Sequence, residues 1–401
     1  MDTLTIVGCQ FGDEGKGKII DYLSCNYDLS VRFNGGENAG HTVVTDGNTI
    51  KYHLVPAGFL RARTSVIANG VVINLRKLNE EIDFLSRFRG SFELKISNLA
   101  HIVTDLHIER DRYLENLRGK GSIGTTLRGI GPAYESKFGR YGIRLEDFKD
   151  PKVLEEKLGF LSYIYNIPKK QGMVEDLIHY YEKISTFITD TSEYLREEID
   201  EGSSALFETA QGTFIDVEFG TYPFVTSSHT ITGGVTVGTG LSPKYFGKFL
   251  GVAKAYTTRV GEGYFPTEIE GEDAERLRKL GNEYGATTGR PRRIGYLDIP
   301  MLRRSVKLNS LDYIALTKTD VLGRFKNIKV GVSYIKDGSE LKEYDPNKRV
   351  DKVEYVSFEP WEDNRSNLNK FIEFIEDEIG VPVALLGSGE KREDIEKRHL
   401  I

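Results

Sequence analysis

The sequence predicts an α/β fold, a single domain around a large, mostly parallel central β-sheet flanked by helices, and three observations lead there. Short apolar runs of strand length alternate with longer mixed segments of helical length, the rhythm of units that lay parallel strands side by side. No Pro/Gly/Ser-rich linker, fixed-period repeat or low-complexity tract divides residues 1–401, so one domain with insertions is expected over the whole length. Glycine, 42 of 401 residues, gathers in clusters between these segments, where positive φ and close backbone approach suit ligand-binding loops.

In chain order, the strand candidates are 4–8, 29–33, 65–67, 94–96, 205–207, 313–316 and 381–385. Each is a short apolar run of the kind that a strand buried on both faces requires. Helix is expected over 153–165, 173–198, 247–256 and 367–379, where apolar and polar residues mix over longer spans. From 325 to 359 the pattern changes to alternating pieces, IKVGVSYI and VEYVSFEP, separated by turn residues. That predicts a small antiparallel insertion.

Composition narrows the function classes. Fifty-four Lys+Arg against 60 Asp+Glu give a net charge of −6, so bulk charge does not hold this chain to nucleic acid, although a local basic pocket for phosphate is compatible with it. Cys9 and Cys25, the two cysteines, cannot build a disulfide framework or by themselves a structural zinc site. The opening MDTLTIVGCQFGDEG carries no basic segment followed by a signal-like apolar run, and no 18-residue apolar stretch occurs. A soluble, cytoplasmic protein with no nucleic-acid or membrane partner is the expectation.

The glycine clusters carry the chemistry. GDEGKGK at 12–18 satisfies G-x-x-x-x-G-K between the apolar strand TLTIVG and the helix-competent IIDYLS. In that context backbone N–H groups and a helix N-terminus cradle a polyphosphate, with Lys16 or Lys18 available to its outer oxygens. Ile19 stands where an ordinary phosphate loop has Ser or Thr for magnesium, and Asp13 and Glu14 would repel phosphate unless a metal or a proton intervened. Either the match is a solvent loop, or Asp13 itself serves as metal ligand, as base, or as both.

NGGENAGH at 34–41 follows the second apolar run and places His41 among polar, glycine-framed residues, suited to donating a hydrogen bond or proton to a phosphate. His53, His101, His107, His179 and His399 have no such context, and His229 is ambiguous. Thr125, Thr126, Arg128 and Arg140 read either as anion binders or as surface polar residues. Thr-Thr-Gly-Arg-Pro-Arg-Arg at 287–293 could neutralise a dianion, carboxylate or phosphate alike, or form a solvated basic loop. At 317–320, T-K-x-D ends a strand; its aspartate can accept from guanine N1–H and the 2-amino group, which favours GTP over ATP. The residues alone thus describe a GTP-dependent enzyme with a second anionic substrate, the reaction unnamed.

As a set the motifs resemble the adenylosuccinate synthetase family. Those that carry the resemblance are GDEGKGK at 12–18, NGGxNAGHT at 34–42, IGTTxRGIGPAY at 123–134, AQGTxxD at 210–216, GTYPxVTSS at 220–228, RVGxGxFPTE at 259–268, GxTTGRxRR at 285–293 and LTKxD at 316–320. The resemblance implies ligation of L-aspartate to IMP with GTP cleaved to GDP and phosphate, through 6-phosphoryl-IMP. Asp13 would remove the N1 proton of IMP and His41 would be the acid partner, with Lys16 and Gln211 also catalytic. IMP would meet Asp13, Glu14, Gly15, Lys16, Asn38, Ala39, Gly40, His41, Thr126, Gln211, Thr226 and Arg290, and Arg140 would reach the IMP phosphate of the partner subunit in a homodimer. Aspartate would meet Val260, Ala286, Thr287, Thr288, Gly289, Arg290 and Arg292. GTP, a co-substrate, would meet Gly12, Asp13, Glu14, Gly15, Lys16, Gly17, Lys18, Gly40, His41, Thr42, Arg292, Lys318, Thr319, Asp320, Ser388 and Gly389. One Mg²⁺ would sit on Asp13 and the Gly40 carbonyl.

The chain departs from the family pattern at Glu390, where Pro is more usual, at His229 in place of Asn, at Pro291, and over 149–201 and the C-terminal third. A GTP-dependent ligase for a different amino compound is the alternative, and a regulatory GTPase a further one that Ile19 and Asp13 disfavour.

Overall fold

The computed structural model describes residues 2–45, 47–285 and 289–401, with Thr45 and Lys120 described in backbone only. Ten strands form the central sheet: β1 (Thr3–Gly8), β2 (Leu29–Arg32), β3 (Thr64–Ile67), β4 (Glu93–Ser97), β5 (Ile188–Thr189), β6 (Ala205–Glu208), β7 (Lys248–Lys254), β8 (Tyr313–Thr317), β9 (Val383–Gly387) and β10 (Ile395–Lys397). Their order is β10-β9-β8-β7-β1-β6-β2-β3-β4-β5. Every neighbouring pair is parallel except β9 with the edge strand β10.

Because both faces are covered, β1, β2, β3, β6 and β9 are buried at every residue; β1, TLTIVG, is an example. Leu4 and Ile6 enter a core shared with the helices Lys16–Leu23, Leu75–Leu85 and Pro151–Tyr165. Val7 joins the opposite core with the helices Gly271–Gly281, Ile299–Asn309 and Arg365–Ile379. Each such fully buried aliphatic side chain contributes roughly 1.5–3 kcal/mol relative to exposure.

Two expectations are overturned. Residues 247–256 are not helical: Lys248–Lys254 is the strand next to β1, in register from Leu4↔Lys248 to Gly8↔Val252. KFLGVAK has no period-2 alternation because both its faces are buried from Leu250 onward, so its pattern cannot be told from that of a buried helix. The span 173–198 is two helices, Met173–Ile184 and Thr191–Asp200, separated by a short turn and the edge strand β5. Asp190 restarts the helix by accepting from the Ser192 and Glu193 backbone N–H groups, a local cap that an apolar count does not register.

The expected insertion is present. Ile328–Lys336 pairs antiparallel with Ser339–Leu341 and Lys352–Phe358. A hairpin of His41–Thr45 and Asn48–Tyr52, and a three-stranded antiparallel sheet of Thr257–Arg259, Arg293–Gly295 and Glu268–Ile269, flank the carboxyl ends of the central strands. None of the described helices is long and apolar enough to cross a membrane.

Candidate active site

Parallel strands send their carboxyl ends, and the loops that leave them, to one edge of the sheet, where α/β proteins bind ligands. Here the loops after β1, β2, β6, β7, β8 and β9 close round a cavity of about 870 Å³. Residues 12–18, 38–42, Thr126, Gln211, Thr226, Val260, Arg290, Arg292, Lys318 and Gly389 line it. Motifs separated by up to 377 positions in the chain (389 − 12) thus line one cavity.

The phosphate loop turns on positive φ at Gly12 (93°), Asp13 (61°) and Gly15 (87°). The helix Lys16–Leu23 then starts without a side-chain cap, so its N-terminal N–H groups remain suited to an anion. The two loop carboxylates have opposite fates. Glu14 is fully buried; its Oε1 accepts from Gln10 N at 3.1 Å and Gly12 N at 2.8 Å, and its Oε2 from Lys16 Nζ at 2.7 Å. Asp13 keeps 35% of its side chain exposed, while its Oδ2 accepts from Arg292 Nε at 2.8 Å. Lys18 Nζ donates to the Gly389 carbonyl at 2.9 Å, tying the loop's helix to the C-terminal segment, and burial lowers its pKa. Both lysines are therefore engaged by protein oxygens, because an ammonium this deep requires a partner.

His41 begins the hairpin above the loop. Its Cβ would lie 2.7 Å from any Cβ placed on Gly17, so this contact needs glycine there. Burial lowers its pKa, and Glu208, at the end of β6, acts in the opposite direction with its Oε1 3.4 Å from His41 Nδ1. Glu208 is itself buried, with Arg32 Nη1 at 3.4 Å and the Ala57 N–H donating at 2.9 Å. His53 Nδ1 lies 2.7 Å from the Ala39 carbonyl and steadies the backbone beside Gly40. Asn38 Oδ1 accepts from Gly36 N at 3.2 Å.

Against the phosphate loop, its Cα 3.6 Å from any Cβ placed on Gly12, Gln211 stands at φ 61°, and both of its side-chain polar atoms are buried without a hydrogen-bond partner. Such an amide costs stability unless a ligand or water completes it. Thr126 follows a turn whose N–H groups at Ile123, Gly124 and Thr125 are gathered by Glu115. Thr125 itself donates to Asp111 at 3.0 Å and Arg128 to the Glu37 carbonyl at 3.3 Å, so both face protein groups. Thr226 is held by its own N–H donating to Ile215 O at 2.8 Å.

The arginine loop closes on itself through Gly285 N to Arg290 O and Gly289 N to Gly285 O, each 2.8 Å. Ala286, Thr287 and Thr288 lie outside the described residues. Arg292 reaches inward, and its Nη1 donates to Glu283 at 2.6 Å. Gly289, Arg140, Thr319, Asp320 and Ser388 do not line the cavity. Thr319 donates to Gly387 O at 3.2 Å, Ser388 Oγ to Asp394 O at 3.3 Å, and one Asp320 carboxylate oxygen is buried without a partner. Arg140 is exposed at the end of the helix Ile130–Gly139. His229 Nδ1 sits 3.9 Å from Asp216, which raises its pKa.

Several residues at or beside the site were given no role by the sequence reading: Glu208, Arg32, Lys254, Glu283, and Arg259, which opens the motif at 259–268 and clamps Thr221, Phe224, Glu262 and Tyr264. A charged residue ending a buried strand, as in ALFE and KFLGVAK, is the signal that could have found Glu208 and Lys254. No group of three or more His, Cys, Asp or Glu able to hold a metal occurs among the described residues. The exposed Asp13 carboxylate at the cavity wall is nevertheless a donor of the kind that Mg²⁺ takes, one or two carboxylates with phosphate oxygens and water completing the shell.

Comparison with known proteins agrees with this arrangement. The family model for adenylosuccinate synthetase matches residues 5–396. The adenylosuccinate synthetase of Picrophilus torridus is 46% identical over 96% of this chain and 98% of its own, and that of Thermoplasma acidophilum 43% over 97% and 96%. The fully ligated adenylosuccinate synthetase of Plasmodium falciparum superposes with TM-score 0.94 at 36% identity, over 100% of both chains. A cyanophage S-2L succinoaminodeoxyadenylate synthetase, at 20% identity and TM-score 0.66 over 99% of this chain and 95% of its own, shares the fold. With the phosphate loop, the AGHT hairpin and the arginine loop meeting in one cavity, the chain belongs to the adenylosuccinate synthetase family.

Proposed function

We propose that this cavity holds IMP, GTP and L-aspartate together, with Asp13 as the base and His41 as its acid partner. The reaction comes with the family: L-aspartate is joined to IMP as GTP is cleaved, giving adenylosuccinate, GDP and phosphate. The contrast inside the phosphate loop carries the residue assignment. Glu14 is consumed by three donors of its own loop, whereas Asp13 keeps an exposed carboxylate at the cavity wall.

Asp13 takes the N1 proton of IMP, and the electron pair moves to O6, which attacks the γ-phosphorus of GTP as the bond to GDP breaks. His41, buried at the rim of the phosphate loop, donates to the transferred phosphoryl oxygens. The aspartate amine then attacks C6 of 6-phosphoryl-IMP, the C6–O bond breaks, and phosphate leaves with O6 and the bonding pair and takes up the proton that the nitrogen loses. Gln211, its amide unpartnered, holds the purine at O6. Thr126, Thr226, Asn38 and Arg290 orient IMP; Val260 and the 285–293 loop take aspartate; Lys318 and Asp320 take guanine. The family uses Mg²⁺, and Asp13 with Gly40 would hold it here, where it would neutralise charge on the GTP phosphates. The enzyme works as a cytoplasmic homodimer in this reading, the partner's copy of the exposed Arg140 completing the IMP phosphate site.

Adenylosuccinate formation followed by ultraviolet absorbance, omitting Mg²⁺, GTP, IMP and aspartate in turn, tests the whole reading. All four should be required, and Asp13→Asn should lower kcat by about 10³-fold or more. GTP cleavage without IMP, or a nearly normal rate in Asp13→Asn, would overturn it.

A further inference from the structure

Four charges beneath the phosphate loop form one connected chain. Arg292 donates from Nε to Asp13 Oδ2 at 2.8 Å and from Nη1 to Glu283 Oε2 at 2.6 Å. Lys254 Nζ donates to Glu283 Oε1 and Oε2 at 2.9 and 2.8 Å, and to Thr258 Oγ1 at 2.7 Å; Tyr256 OH donates to Glu283 Oε1. Glu283 and Lys254 belong to none of the motifs that mark reactant contacts, yet both line the cavity and both are enclosed, at 0% and 2% side-chain exposure.

Two anions and two cations sum to zero, the condition under which such burial is tolerated. Burial alone would raise the Glu283 pKa, but Lys254 and Arg292 overcome it and hold the carboxylate ionised. A guanidinium touching Asp13 through one N–H could swing about that bond. A second carboxylate, itself fixed by Lys254 and Tyr256, sets the guanidinium in place and leaves one Asp13 position to match.

We propose that Glu283, locked by Lys254 and Tyr256, is a positioning residue that sets Arg292 against Asp13 and so aims the base. The proposal rests on the reading of Asp13 as that base. A base displaced by about 1 Å loses on the order of 10²-fold in rate.

The test is steady-state kinetics of the full chain with Mg²⁺, GTP, IMP and L-aspartate, as a double-mutant cycle of Glu283→Gln and Arg292→Gln. Glu283→Gln should lower kcat about 10- to 100-fold while the KM for IMP stays within about twofold. Added to Arg292→Gln, it should change kcat by less than about threefold, since no guanidinium remains to aim. Effects that multiply would overturn the proposal. Glu283→Gln also leaves Lys254 buried against a neutral amide, so Lys254→Met/Glu283→Gln is measured beside it. The same loss of kcat there supports the proposal, and a wild-type kcat overturns it. Full activity in Asp13→Asn would instead remove the base reading itself; loss of product there together with multiplying effects at 283 and 292 removes only the positioning role.

Discussion

The charged phosphate loop and the neutral groups of the cavity solve different problems. In the phosphate loop every side-chain charge already has a protein partner: Glu14 with Lys16, Asp13 with Arg292, Lys18 with the Gly389 carbonyl. Gln211, Thr126 and Thr226, which also line the cavity, are neutral, and the Gln211 amide has no protein partner at all. An unpaired buried charge costs several kcal/mol, whereas an unpaired amide costs about 1–3. Keeping a neutral amide waiting for a ligand costs less than keeping a charge waiting, so the phosphate loop is preorganised by ion pairs and the neutral groups are completed by what binds.

Substitutions that exploit this difference should separate the two. The largest effect is expected at Glu14→Gln, which leaves Lys16 buried beside a neutral amide. Unfolding in urea should show a loss of about 3 kcal/mol, and a change under about 1 kcal/mol would mean that the pair is not what stabilises the loop. Gln211→Leu should do the opposite. Stability should hold or rise, since an orphaned amide is removed, while the KM for IMP or kcat worsens about tenfold.

Arg140 belongs to neither. If its copy completes a neighbouring site, Arg140→Leu should raise the KM for IMP about tenfold and leave the KM for GTP unchanged. Mixing it with Asp13→Asn should restore some activity through hybrid dimers, and no restoration would place Arg140 outside the partner's site. The effect confined to acid pH, and smallest near neutrality, concerns neutral burial far from the chemistry. His107, packed against Thr104 and Ser136, has its pKa lowered to about 3 by burial. Its folded pKa lies below the unfolded value of about 6.5, so its contribution is fully present above that pH and is lost as pH falls toward 3. His107→Gln should flatten the stability slope over that window by at most about 1.4 kcal/mol per pH unit.

Much of this was legible in the chain. The phosphate loop, His41 and the arginine loop are contiguous stretches whose glycines and charges are costly without a ligand, and contiguity is what a sequence displays. Lys248–Lys254 was misread as helix because a strand between two others carries no alternation. Glu208 and Glu283 were missed because each is an isolated acid in an ordinary context, given meaning by His41 and by Arg292 respectively.

Local chemistry, then, was settled by the sequence: which glycine clusters form loops and which residues can carry a proton. Pairing was settled only by the tertiary structure. Whether Asp13 or Glu14 keeps an open carboxylate depends on which donors the fold brings within 3 Å of each, and Arg292 lies 279 positions from Asp13. Electrostatic energy follows distance and burial in space, and neither can be read along the chain.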